Sequence, residues 1–117
     1  MATDSKTKSL LCLKAAVEKK AQDPVLLELK GISSITDYFL LCSGRSDRQV
    51  QAIAQGIEEA IKKMGIRPLG QEGIEGGRWI LLDYADVVVH IFLDPVRKFY
   101  DLEGLWMDAQ RIELQER

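Results

Sequence analysis

The chain has 117 residues, of which 46% are hydrophobic and 29% are charged. This size predicts one domain over residues 1–117, with a core from about residue 10 to residue 112, and the composition excludes long disorder. A net charge of -2 disfavours direct nucleic-acid binding. No apolar run is long enough to span a bilayer. One His with two separated Cys cannot supply a familiar zinc site. We therefore expect a cytoplasmic protein that uses no metal or cofactor.

The first half of the chain predicts a helix, two strands and a second helix. Apolar residues recur at helical spacing over residues 10–17, and Asp23-Pro24 ends that helix. Strands are predicted at residues 25–29 and 37–43, and the second is apolar nearly throughout, as expected of a central strand. Ser46 and Gln49 fit a capping box that begins a helix over residues 47–64.

The second half predicts three strands and a last helix. Residues 66–71 can form a strand, which Pro68 places at an edge of the sheet. Residues 78–83 and 87–93 predict an antiparallel hairpin, and Asp94-Pro95 predicts the start of a helix over residues 96–105. The fold class is α/β or α+β, with a mixed five-stranded sheet and packed helices, and the order of the strands is not readable.

One turn raises an enzymatic alternative. The turn from Ser43 to Ser46, before a helix, is similar to the Gly-Ser element of nucleotidyltransferases. Those enzymes also need paired carboxylates to hold metal ions, and no Asp-x-Asp follows at the required spacing. A capped helix start explains the turn better. His90, the single histidine, has no nucleophile motif beside it and defines no triad.

The last third of the chain is acidic and rich in rings. Residues 72–116 contain ten acidic and four basic residues, which would attract a basic partner or form a solvated surface. Most large rings of the chain also lie here, and aromatic anchors are typical of protein interfaces. The alternative is that these rings close the core, which is the assignment we prefer for Phe99. Trp79 and Asp83 share one side of a strand, which favours a covered or binding face.

Six motifs in one order resemble the ribosomal silencing factor family, also called iojap-like proteins, and the resemblance extends from about Leu10 to Ile112. They are Ile35-Thr36-Asp37-Tyr38-Phe39-Leu40, Ser43-Gly44-Arg45-Ser46-x-Arg48-Gln49-Val50, Glu72-Gly73, Trp79-x-Leu81-x-Asp83-Tyr84, Val88-Val89-His90-Ile91-Phe92 and Arg97-x-Phe99-Tyr100-x-Leu102-Glu103-x-Leu105-Trp106-x-Asp108-Ala109. Each motif is weak alone, and the ordered set is specific.

The resemblance implies a nucleotidyltransferase-like fold without the catalytic acids, and a function without catalysis. Family members bind large-subunit ribosomal protein fourteen, block joining of the small subunit and repress translation when nutrients fall. The resemblance leaves open whether the chain is a monomer or a homodimer. By motif match, the implied partner-binding residues are Trp79, Asp83, Tyr84, His90, Phe92, Tyr100, Leu102, Glu103 and Trp106. The alternative function is a nucleotide-binding enzyme that uses the turn from Ser43 to Ser46.

Overall fold

A computed structural model describes residues 4–106 and 108–112 of the chain. The helices are α1 (Ser5–Glu18), α2 (Asp47–Lys62), α3 (Asp94–Tyr100) and the single turn α4 (Leu102–Leu105). The strands are β1 (Gln22–Glu28), β2 (Tyr38–Gly44), β3 (Gly70–Glu72), β4 (Trp79–Asp83), β5 (Val87–Leu93) and β6 (Gln110–Ile112). They form one mixed sheet in the order β3-β4-β5-β2-β1-β6. Among these residues no helix is long and apolar enough to cross a membrane.

The sheet confirms the predicted α+β class and contains one strand more than predicted. The sixth strand, β6, pairs antiparallel with β1 through Leu26 and Ile112. Its three residues are too few to show an alternating pattern, so the sequence does not predict it. The predicted single domain includes residues 1–3, 107 and 113–117, which lie outside the described residues, and its extent stays a prediction.

The two central strands, β2 and β5, are parallel, and every other pair is antiparallel. The central position of β2 confirms the interpretation of its apolar sequence, since both its faces are covered. The predicted hairpin is confirmed as well, because β4 pairs antiparallel with β5 from Trp79 opposite Phe92 to Asp83 opposite Val88.

Helices α1 and α2 cover one face of the sheet. The apolar stripe of α2 is fully buried there at Val50, Ile53, Ile57 and Ile61. Cys12 and Cys42 are buried in the same core, as the sequence predicts, and burial raises the pKa of both thiols to about 12. This face is therefore a closed hydrophobic core.

The boundaries of several elements differ from the prediction. Asp23-Pro24 does not end the first helix, because α1 already ends at Glu18 and both residues lie inside β1. The helix stops earlier since Lys20 has a left-handed backbone with φ of 63°. Strand β3 begins at Gly70 instead of residue 66, because Pro68 lacks the N–H that a longer ladder would need. The predicted helix over residues 96–105 is two short helices, since Asp101 has a left-handed backbone with φ of 46°. This break turns α4 back along the sheet and allows it to cover the second face.

Candidate functional site

The second face of the sheet carries a cluster of aromatic side chains. Alternate residues of β2, β4 and β5 project away from α1 and α2, and the segment from α3 to the residue after α4 adds two more rings. We call this cluster the aromatic face. Its members are Phe39, Trp79, His90, Phe92, Tyr100 and Trp106.

The rings of the aromatic face form one contiguous set. The Trp79 ring centre lies 5.0 Å from that of Phe92, 4.7 Å from that of Tyr100 and 6.0 Å from that of His90. Phe39 continues the set, 4.9 Å from His90 and 6.0 Å from Trp106. These distances are typical of favourable aromatic pairs. The C-terminal segment is therefore held on the sheet mainly by ring contacts.

His90 lies at the centre of the aromatic face and is only 5% exposed. The indole Nε1–H of Trp79 donates a hydrogen bond of 3.1 Å to its Nδ1. A neutral imidazole that accepts at Nδ1 carries its proton on Nε2, and this atom is buried without a partner among the described residues. Burial lowers the pKa of His90 to about 4, so the ring is neutral at pH 7.

Apolar side chains of α3 and α4 project from the aromatic face into solvent. Phe99 is 81% exposed, Leu105 is 73% exposed and Tyr100 is 49% exposed. Large exposed apolar patches are typical of interaction sites, so these side chains are candidates for a partner-binding surface. A cavity of about 350 Å³ lies beside these residues, between α3 and the start of β4. It is lined by Arg78, Trp79, Pro95, Val96, Phe99 and Tyr100.

The assignment of Phe99 to the core is wrong. The inward side of α3 carries Val96 and Arg97, and two further residues rotate a helical side chain by roughly 200°, which directs Phe99 outward. Sequence reasoning also omitted Leu105 from the candidate site. The sequence does contain a signal for the exposure of Phe99 and Leu105. The segment that holds them has more apolar residues than two short helices can bury.

Glu103 belongs to a partly buried ion network centred on Arg97. Its Oε1 accepts from Arg97 Nε at 2.9 Å, and its Oε2 lies 3.9 Å from the guanidinium of Arg111. Arg97, itself buried, also donates to Ser43 Oγ at 2.9 Å and to the carbonyl of Gln22 at 3.3 Å. The network joins α3 and α4 to β1 and β2, so Glu103 positions the segment that carries the exposed rings.

The other predicted site residues divide between the surface and the layer below it. Trp79 and Trp106 are half-buried, Phe92 is 1% exposed beneath Trp79, and Leu102 packs on the same cluster. Asp83 shares the side of Trp79 at the far end of β4, where its carboxylate accepts from the backbone N–H of Ala85 at 2.8 Å.

Tyr84 does not lie on the candidate site. It is 3% exposed and packs in the core between the sheet and helices α1 and α2. Strand β4 ends at Asp83, and the next side chain turns to the opposite face of the sheet. The alternation that places Trp79 and Asp83 together therefore excludes Tyr84 from this surface.

The turn from Ser43 to Ser46 has a capping geometry. Ser46 Oγ accepts from the N–H of Gln49 at 3.1 Å, and Asp47 accepts from the N–H of Arg48 at 2.7 Å. The Gln49 side chain accepts from the N–H of Arg45 at 2.7 Å, which nearly reproduces the predicted capping box. The backbone N–H groups of Arg45, Arg48 and Gln49 are thus engaged by side chains of the cap. Residues 4–106 and 108–112 contain no cluster of three His, Cys, Asp or Glu able to hold a metal.

Comparisons with known proteins agree on one family. The family model described as "Ribosomal silencing factor during starvation" matches residues 2–117. The chain is 47% identical to ribosomal silencing factor RsfS of Halalkalibacterium halodurans over 105 residues, which cover 90% of each chain. It is 46% identical to RsfS of Bacillus subtilis over 109 residues, or 92% of each chain. A crystal structure of a Chromobacterium violaceum protein aligns with a TM-score of 0.87 and 33% identity, covering 98% of this chain and 95% of that one.

Proposed function

This chain belongs to the ribosomal silencing factor family, and we propose that it represses translation by occupying a site on the large ribosomal subunit. The proposed contact is large-subunit ribosomal protein fourteen, and the bound domain blocks joining of the small subunit when nutrients are limiting. It acts in the cytoplasm, without a cofactor and without catalysing a reaction.

The observation that carries this proposal is the exposed apolar surface above the aromatic face. Phe99, Tyr100 and Leu105 project from short helices that the Arg97–Glu103 ion pair and the ring contacts hold in place. Interfaces gain most of their affinity from a few aromatic anchors on a preformed surface. A rigid sheet that presents such anchors supports binding to another protein.

Charge supports a basic protein as the partner. Between residues 72 and 116 the acidic side chains outnumber the basic ones by ten to four. Glu103 is neutralised by Arg97, so the accessible negative charge near the candidate site comes from exposed residues such as Asp101 and Asp108. Complementary charge accelerates association with a basic ribosomal protein, and it disfavours contact with RNA phosphates.

Steric blocking needs only a bound body of sufficient size. The described residues span 36 × 33 × 32 Å, and a protein interface of standard size covers only part of such a surface. The remainder would project from the large subunit into the space that the small subunit must occupy. Stoichiometric occupancy therefore suffices for silencing.

Sedimentation with purified large subunits tests the surface. Tyr100→Ala and Phe99→Ala should each weaken binding, and we expect about 2 kcal/mol for Tyr100, which contacts Trp79. Leu69→Ala is the matched control, because Leu69 is 76% exposed beside β3 and lies outside the aromatic face. Circular-dichroism melts must show that the variants stay folded. Binding like that of the wild type by both ring variants would contradict the proposal.

A further inference from the structure

We propose that His90 is a positioning residue whose Nδ1 fixes the indole of Trp79 in the orientation that the partner meets. This inference rests on the proposed function, since it assumes that the aromatic face binds the large subunit. It also changes the role of His90. The motif match implies a direct contact with the partner, whereas the geometry points to an action through Trp79.

Trp79 needs a specific constraint because of its place in the sheet. Strand β3 pairs with β4 only from Leu81 to Asp83, so Trp79 lies beyond the last β3 pair and is paired with Phe92 alone. Its ring packs on Phe92 and Tyr100 at tilts of 33° and 46°, contacts that tolerate sliding of one ring over another. A hydrogen bond to the indole N–H is directional and selects one orientation.

His90 is well placed to accept this hydrogen bond in a fixed direction. It lies on the central strand β5, with Leu41 and Leu81 as its cross-strand neighbours. Its ring is nearly parallel to that of Phe92 and edge-on to that of Phe39. A buried side chain packed in this way is a fixed acceptor. The hydrogen bond thereby ties the orientation of Trp79 to a central strand of the sheet.

The cost of burying His90 argues that the hydrogen bond has a function. Accepting at Nδ1 leaves an Nε2–H donor buried without a partner among the described residues, which destabilises the fold. A leucine at this position would fill much of the same space and avoid that cost. We infer that this cost is tolerated because the hydrogen bond fixes the orientation of Trp79. The Trp79 side chain lines the cavity of about 350 Å³ beside Phe99 and Tyr100.

Two near-isosteric substitutions separate the hydrogen bond from packing. Asparagine places Oδ1 close to the position of Nδ1, and leucine has a similar shape without an acceptor. We expect His90→Leu to weaken binding to purified large subunits by about tenfold and His90→Asn by less than about threefold. The Trp79 indole N–H resonance, assigned with Trp79→Phe, should exchange slowly in the wild type and in His90→Asn, and rapidly in His90→Leu.

A double-mutant cycle distinguishes loss of the Trp79–His90 hydrogen bond from general destabilisation of the core by His90→Leu. Trp79→Phe removes the donor at a half-buried ring, and its effect on binding should be much smaller in the His90→Leu background than in the wild type. Equal effects in both backgrounds would overturn the inference, as would wild-type binding by His90→Leu while Trp79→Ala binds weakly. If Trp79→Ala, Tyr100→Ala and Phe99→Ala all bind normally, the proposed function fails as well.

Discussion

Two buried polar side chains, His90 and Tyr84, each keep one atom without a hydrogen-bond partner among the described residues. Burial shifts their pKa values in opposite directions, downward for the imidazole and upward for the phenol, because it disfavours the charged form of each. Tyr84 lies between the sheet and helices α1 and α2, and its shifted pKa keeps it neutral over the whole physiological range. His90 differs, since its neutral state can be lost in mild acid.

Acid should therefore destabilise the protein through His90. Its pKa falls from an ordinary value of 6.5 to about 4 in the fold, so the unfolded chain binds the proton first as the pH decreases. The associated stability is complete above pH 6.5 and is lost progressively toward pH 4, in total about 3 kcal/mol. Urea titrations across this window should show a shallower pH dependence for His90→Asn than for the wild type. Parallel slopes would contradict the burial of a neutral His90.

Removal of the Glu103 carboxylate should reduce stability. Glu103→Ala would leave the buried guanidinium of Arg97 with only Ser43 and the Gln22 carbonyl, and we expect a loss of about 2 kcal/mol. Asp108→Ala, at an exposed position in the same segment, is the control and should change stability little. Thermal melts of both variants distinguish a positioning role from a surface role. An unchanged melting temperature for Glu103→Ala would return Glu103 to the list of direct contacts.

At the level of elements, the sequence predicts what local pattern determines. Helix α2 follows from Ser46, Gln49 and a helical apolar stripe, and the β4–β5 hairpin follows from two alternating runs joined by a short turn. Strand order depends on distant pairing and has no local signal. The break between α3 and α4 depends on a left-handed Asp101, a conformation that a non-glycine residue adopts only where its surroundings stabilise it.

The same dependence on distant contacts explains why only part of the candidate site could be predicted from the sequence. Alternation along β4 correctly places Trp79 and Asp83 on one side of the sheet, and the structure adds His90 and Phe92 of β5 to that side. It cannot show which of these rings the C-terminal segment covers, because that depends on how α3 and α4 dock. For this reason the sequence favours a core position for Phe99, which the structure places 81% exposed, and gives no sign of the ion pair between Glu103 and Arg97.

The capping role of Ser46 predicts a separation of stability from function. Ser46→Ala removes the acceptor for the N–H of Gln49, which should cost about 1 kcal/mol of unfolding free energy. Large-subunit binding at a temperature well below the melt should not change, because α2 lies on the opposite face of the sheet from the aromatic face. Denaturant unfolding and sedimentation together provide the test. Impaired binding by a fully folded Ser46→Ala would contradict this separation and would include the turn in the binding surface.

Over the whole molecule, the two faces of the sheet differ in how many apolar side chains they bury. Helices α1 and α2 and the strands beneath them form the larger core, to which Ile112 is the C-terminal contribution. In the described part of the chain, the fully buried members of the second core are Leu27, Leu29, Leu41 and Phe92, covered by two short helices with exposed apolar residues. Most of the buried apolar side chains therefore lie on the face that α1 and α2 cover.

The proposed occupancy of the large subunit predicts that inhibition of subunit joining saturates at one copy of the protein per large subunit. The protein would be titrated into dissociated subunits, Mg²⁺ restored to promote joining, and complete ribosomes followed by light scattering. If the domain acts by occupancy, inhibition should rise linearly to a plateau near equimolar protein, independently of added nucleotide. Tyr100→Ala should reach the same plateau only at higher concentration, because it weakens binding and leaves the blocking volume intact. Inhibition at far less than one copy per subunit, or a requirement for nucleotide, would contradict occupancy and indicate turnover.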